Sequence, residues 1–264
     1  MIFATLQRML HLLFLLSVQP TQALAPSAVY TWIEESSSTA HAEFFHDYGI
    51  LSEDFHQLLH NWSTTQLKRS AKSSLTLHQQ DKCTEGALFK SMNPKTVSPS
   101  GSELEQRFIE SLFLIESSYC LPNVTLQKAY DVFMSTKFRL DVMPQVVGFT
   151  KKGSSSSCVQ SDGVTGILLP SEYCTYNRHI QDSQSIVVRT SLSSAFNDDA
   201  HQPLYFREEV IIFSQLSTGV AVYRATFSRS KDLGTTTKYL LRNTVSSSQS
   251  NIRDGYYEWL NKSQ

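Results

Sequence analysis

The stretch HAEFFHDYGILSEDFHQLLH gathers His41, His46, His56 and His60, the densest group of ionisable side chains in the sequence. His56 and His60 are four residues apart, so on a helix both imidazoles share one face and could reach one metal ion. A metalloprotease helix reads H-E-x-x-H, with the glutamate as general base, and HQLLH lacks that glutamate. A third ligand would have to come from Glu43, His46 or Asp47. Exposed histidines on a polar helix face are commoner than metal sites, so His56 and His60 stay weak candidates and no metal or other cofactor is expected. For nucleophilic catalysis, the G-x-S-x-G elbow of serine hydrolases is absent, although Ser154–Ser157 follow Gly153 directly. Cys174 has His179 and Asp182 downstream, but an oxidised cysteine has no thiolate to offer. Glu208 and Glu209 are adjacent, so on a strand they point to opposite faces and cannot act together on one substrate. Asn197, Asp198 and Asp199 lack the regular spacing of a calcium loop. There is no phosphate-binding loop, dinucleotide fingerprint or kinase signature, and the residues lean away from an enzyme.

Residues 1–25 carry one charge, Arg8, then the apolar run Leu10 to Val18, then Pro20 and small residues. That order is a secretory signal peptide, cleaved after Ala25 or Ala23. The run is too short for the roughly 20 apolar residues of a bilayer span. The expectation is a secreted or periplasmic protein with no transmembrane segment after cleavage. The four cysteines all lie beyond this segment. In an exported chain they read as two disulfides, and of the three connectivities the most local is Cys83–Cys120 with Cys158–Cys174. No pair has the short spacing of a structural zinc site. Asn61, Asn123 and Asn261 each head an N-x-[ST] triplet and are candidate glycosylation acceptors. The formal net charge is −1, and the basic clusters Lys68-Arg69 and Lys151-Lys152 are too short for a nucleic-acid surface.

The elements that would position these residues change character along the chain. After residues 1–25, residues 26–100 read as a helical and loop region and residues 101–264 as an α+β core domain. Ser37–Tyr48 has helical composition. Ser52 can cap a second helix in which Phe55, Leu58, Leu59 and Trp62 share a face. Residues 63–100 show no lasting period and read mostly as loop, anchored by Cys83. Ser102 and Glu105 form a capping box, and Leu104, Phe108, Leu112 and Ile115 continue as one helical stripe toward Pro122. Another helix from Asn123 or Thr125 brings Leu126, Ala129, Tyr130 and Phe133 together. Strands are expected over 137–149, 163–169, 184–192, 204–213, 220–228 and 236–245. The loop SQLSTG joins two of them as a hairpin, with Gly219 free to take positive φ. Alternation then puts Ala221, Tyr223, Ala225 and Phe227 on a buried face and Arg224 and Thr226 on a wet one. The terminal GYYEWLN docks its aromatic rings on the body.

The expected fold class is α+β: N-terminal amphipathic helices packed on one face of a C-terminal antiparallel meander, stabilised by disulfides. In outline this resembles the helix-grip lipid-binding folds, which enclose an apolar cleft between helices and sheet. Those folds close on a long C-terminal helix whereas this chain ends in the short GYYEWLN segment, and no family is claimed. The implied function is a non-catalytic binding or envelope-accessory protein holding an apolar small molecule or lipid, with Phe108, Leu112, Tyr130, Phe133, Tyr223 and Phe227 lining the cavity. The alternatives are a protein–protein interaction module with an exposed apolar patch and a hydrolase, metal-dependent or other, without a recognisable motif. Closing a loop of about 15 residues with a disulfide stabilises by about 3 kcal/mol in the chain-entropy model. Peptide mapping without reductant should recover Cys158 and Cys174 in one cross-linked fragment, and alkylation of both thiols would refute the bond.

Overall fold

The structure, a computed structural model, describes residues 26–35, 53–143, 146–153, 155–161, 171–192, 204–230 and 250–261. Its strands are β1 (Gly86–Ser91), β2 (Leu112–Pro122), β3 (Val146–Lys152), β4 (Ser156–Ser161), β5 (Ser171–Gln181), β6 (Ser185–Leu192), β7 (Leu204–Leu216) and β8 (Gly219–Ser230). They make one 8-stranded sheet in the order β1-β2-β8-β7-β6-β5-β4-β3, with every neighbouring pair antiparallel. From β3 to β8 the chain is a meander, and β8 closes back beside β2. The helices are α1 (Pro26–Glu35), α2 (Glu53–Gln79), α3 (Pro94–Val97), α4 (Glu103–Glu110), α5 (Leu126–Phe133), α6 (Thr136–Val142) and α7 (residues 250–261). Helices α5 and α6 carry the chain from β2 to the far edge strand β3.

Strand alternation sorts the core into two halves. Val210 and Ile212 of β7 and Ala225 and Phe227 of β8 point to a first face. There they pack against Val29 and Ile33 of α1, Phe55, Leu59, Leu67, Ala71 and Leu75 of α2, and Phe108 and Ile109 of α4. Ile211, Phe213, Val220 and Val222 point to the second face, under Leu126, Ala129 and Phe133 of α5, Phe138 of α6, and Tyr256 and Leu260 of α7. The helices therefore cover both faces of the sheet, where the sequence pattern suggested one. Thr226, placed on a wet face by the same pattern, is buried.

Several boundaries differ from the sequence reading for identifiable reasons. The stretch read as loop over 63–100 holds the rest of α2, then β1 and α3. Ser63, Thr64 and Ser74 of α2 are buried with its leucines, which breaks the apolar period. The hydroxyls of Ser63, Thr65 and Thr76 donate to carbonyls of the preceding turn, at 3.0, 2.8 and 2.8 Å, so the helix satisfies them itself. The capping box forms as read: Glu105 N donates to Ser102 Oγ at 3.3 Å and Ser102 N to Glu105 Oε2 at 2.8 Å. That helix stops at Glu110, and Leu112 and Ile115 belong to β2. Their spacing satisfies a helical stripe as well as a strand, and pairing with β8 selects the strand. Residues 137–149, read as a strand, split into α6 and the start of β3. GYYEWLN lies within α7: Tyr256 is buried and donates to Ala129 O at 3.0 Å, and Tyr257 donates to Cys120 O at 2.6 Å. Gly255 permits this approach, since a Cβ there would meet Val142 Cγ1 at 2.2 Å. At the β7–β8 turn Gly219 has φ 151°. The segments 37–48, 163–169 and 236–245, and the whole of residues 1–25, lie outside the described residues.

Two disulfides form, Cys83–Cys120 and Cys158–Cys174. The first ties the segment after α2 to β2. The second joins residues directly opposite one another in the β4–β5 ladder. Among the described residues no helix is long and apolar enough to cross a membrane. Phe213 is fully buried on the second face, with its ring against Tyr130 and Phe133. Phe213→Ala should lower unfolding stability by about 3–5 kcal/mol, read from the urea midpoint. A loss under about 1 kcal/mol would show that this layer is not close-packed.

Candidate functional site

On the second face a cluster of charged side chains forms where β7 and β8 lie side by side. Glu209 of β7 sits opposite Thr226 of β8, and alternation places Arg207 and Arg224 on the same side of the sheet. Glu209 Oε2 accepts from Arg224 Nε at 2.8 Å, Arg224 Nη2 at 2.6 Å, Arg207 Nη2 at 2.9 Å and Thr226 Oγ1 at 2.7 Å. Burial alone would push this carboxyl up. Arg224, Arg207 and the Thr226 hydroxyl overcome it and hold the group down to about 2. The polar band continues across the sheet. Thr190 of β6 pairs with Glu209 in register and donates to Asn177 Oδ1 of β5 at 3.0 Å, and Asn177 Nδ2 donates to Ser157 Oγ of β4 at 2.9 Å.

Arg139 of α6 caps this band from the helical layer. Its guanidinium lies between the rings of Phe133 and Phe149, at 4.7 and 4.6 Å from their centroids, and its Nε donates to Phe133 O at 2.9 Å. Burial pulls its pKa down to about 10, so it is charged at neutral pH. Between Arg139 and the sheet is a cavity of about 60 Å³. Arg139, Arg207, Arg224, Glu209, Asn177, Thr190 and Thr175 supply its polar wall; Phe133, Met143, Val146, Phe149, Val159 and Tyr173 supply the rest. A water takes about 30 Å³ of liquid and drug-sized ligands occupy roughly 300–1,000 Å³. The cavity thus has room for a small polar group and is far below the volume of a drug-sized ligand.

Glu208, the neighbour of Glu209, faces the other way as strand geometry requires. It meets Arg189 Nη2 on the first face, where the two side chains are 0% and 1% exposed. Burial raises the Glu208 pKa, while Arg189 and His60 draw it back. This pair lies sealed in the layer between sheet and α2. His78 of α2 makes a serine–histidine contact there, Nδ1 to Ser214 Oγ at 2.7 Å, with Ser74 Oγ 3.3 Å from its other nitrogen. Burial pulls His78 down to about 4, and Ser214 is buried, so the contact joins α2 to the sheet without presenting a nucleophile.

The residues named from sequence fall in different places. Phe108, Leu112, Tyr223 and Phe227 lie in the first-face core and Tyr130 and Phe133 in the second, so the six do not surround one space. Only Phe133 of these borders the cavity. His60 lies beside Glu208, and the side chain of His56 is outside the described residues. Asn61 is exposed on α2, Asn123 occupies the turn after β2 at φ 57°, and Asn261 is the exposed last residue of α7. Arg139, Arg207, Glu209 and Arg224 were not named as site residues. Their signal was the complementary charge at alternate positions of two hairpin strands, and it reads as a solvated face until the second helical layer is known.

No protein-family model matches the chain and no curated protein matches its sequence. Among solved structures it is similar to human StAR-related lipid transfer protein 5, with 13% identity over 75% of this chain and 98% of that one, TM-score 0.44. It is also similar to a fragment of the STAR-related lipid transfer protein from Xanthomonas axonopodis, with 12% identity over 57% of this chain and 85% of that one, TM-score 0.39. A START superfamily protein from Mycobacterium smegmatis matches at 11% identity over 56% and 98%, TM-score 0.42. Likenesses this distant assign neither family nor ligand.

Removing one partner of a buried ion pair costs about 3–5 kcal/mol, so Glu209→Gln should destabilise by an amount of that order. Glu209 is held at about 2, below the roughly 4.3 of an unfolded glutamate, so its contribution is complete above pH 4.3 or so and fades as pH falls toward 2. Denaturation curves between about pH 6 and 2 should show a shallower acid loss for Glu209→Gln than for the parent. Parallel curves would contradict the ion-pair assignment.

Proposed function

We propose that this chain is a non-catalytic binding protein for a small amphiphilic molecule, held on the second face of the sheet between β5–β8 and helices α5 and α6. One observation carries the reading: an ionic and polar band lines a cavity inside an otherwise apolar layer. Replacing a buried ion pair with packed apolar side chains is often neutral or stabilising, so stability alone gives little reason for Arg207, Glu209 and Arg224 to stand there. An apolar wall with a few convergent polar groups is the usual composition of a small-molecule site. The polar end of the ligand meets the arginines, and its apolar part lies along Phe133, Met143, Phe149 and Val159. Admitting a tail longer than the present cavity requires Met143, Phe149 or α6 to move outward.

The protein is further proposed to act outside the cytosol. The order of residues 1–25 supports export, and two disulfides suit an oxidising compartment. A protein-docking role has weaker support, because among the described residues the exposed large apolar side chains Leu88, Leu104, Leu140 and Val147 are scattered over β1, α4, α6 and β3.

Native mass spectrometry after mild purification should find a bound small molecule that is lost on denaturation. A panel of single-chain amphiphiles should raise the melting temperature. Bare polypeptide from repeated preparations, together with no thermal shift across the panel, would overturn the reading.

A further inference from the structure

Resting on the reading of this cavity as a binding site, we infer that it takes an anionic head group, a carboxylate or a phosphate, and that Arg139 is its principal contact. Charge balance leads to this conclusion. Among the described residues three guanidinium groups, those of Arg139, Arg207 and Arg224, line the cavity, and Glu209 is the one carboxylate in its wall. Glu209 is engaged by Arg207 and Arg224. Among the described residues no carboxylate pairs with Arg139, whose side-chain contacts are Phe133 O, Met134 Sδ at 3.6 Å and the two aromatic rings. Aromatic faces fix the orientation of a guanidinium and favour its charge, but they do not neutralise it.

Arg139 is half-buried, and burial works against its charge, so a further counter-charge placed beside it is favourable. Glu209 favours the Arg139 charge from across the cavity, but one carboxylate cannot neutralise three guanidinium groups, and an anionic ligand can. The excess positive charge repels a cation, and a neutral head group leaves the imbalance standing. A carboxylate or phosphate accepts two parallel N–H bonds from a guanidinium fork, a geometry that lysine cannot offer. Glu209 then serves as a positioning residue: by holding Arg207 and Arg224 to one oxygen it keeps both cations on the wall facing Arg139. The cavity volume of about 60 Å³ suits such a head group. The ligand class is an acyl carboxylate or an alkyl phosphate.

The test is isothermal titration of the whole chain with four ligands of equal chain length, below their micellar concentrations: dodecanoate, dodecyl phosphate, dodecanol and dodecyltrimethylammonium. Dodecanoate or dodecyl phosphate should bind at least about tenfold more tightly than dodecanol, as a charge-assisted contact implies, with the ammonium compound weakest. The order of the two anions separates a carboxylate ligand from a phosphate one. In Arg139→Gln the ratio of anion to dodecanol affinity should fall toward one, and Arg139→Lys should restore only part of it. Equal binding of dodecanol and both anions, or an unchanged ratio in Arg139→Gln, would overturn the anionic assignment while the amphiphile reading stands. Binding of none of the four would overturn both. Should Arg139→Gln fail to fold, the wild-type affinity order decides alone.

Discussion

At the centre of the sheet helices cover both sides of the hairpin β7–β8, and the rest of this molecule follows from that constraint. Successive strand residues point to opposite sides, so neighbouring residues along the middle of the hairpin β7–β8 enter one layer or the other. Two adjacent carboxylates, Glu208 and Glu209, therefore enter different layers, and each needs its own cation. Arg189 answers Glu208 on the first face, and Arg207 and Arg224 answer Glu209 on the second.

The two pairs have unlike surroundings. Helix α2 spans Glu53–Gln79 and lies across the first face through Leu59, Leu67, Ala71 and Leu75. It also makes polar contacts there: Ser70 Oγ donates to Glu116 Oε1 at 2.9 Å, and His78 meets Ser214. That layer is sealed, and its charges are structural. On the second face α5 and α6 are short, 8 and 7 residues. With α7 they cover one part of the sheet densely through Phe133, Phe138, Tyr256 and Leu260. Next to that packed region they leave the cavity under Arg139. The same chemistry, a glutamate met by arginine, thus closes one layer and lines a cavity in the other.

Features fixed by short-range chemistry were legible in the sequence. The Ser102–Glu105 capping box, the hairpin turn at Gly219 and the helix start at Thr125 depend on residues within one turn of each other, and all three form. Strands β6, β7 and β8 also stand where alternation placed them, because they are long and rich in branched and aromatic residues. The second half of α2 was hidden because its buried side includes serines and threonines. The end of α4 was misplaced because Leu112 and Ile115 fit both periods. Helix α7 has a weak signal because the half of it before the aromatic cluster Tyr256, Tyr257 and Trp259 is mostly polar and ends in Gly255.

The amino-acid sequence by itself determined an α+β chain with cysteines positioned for two local disulfides, a hairpin at Gly219 and opposite orientations for Glu208 and Glu209. These follow from backbone periodicity and turn chemistry, which act over a few residues. Only the tertiary structure decided that the face bearing Arg207, Glu209 and Arg224 is buried, and that Arg139 comes down on it from α6. Burial is a property of what packs above a surface, and the covering residues lie far along the chain. An arginine on a strand looks the same in sequence whether it meets water or the wall of a cavity.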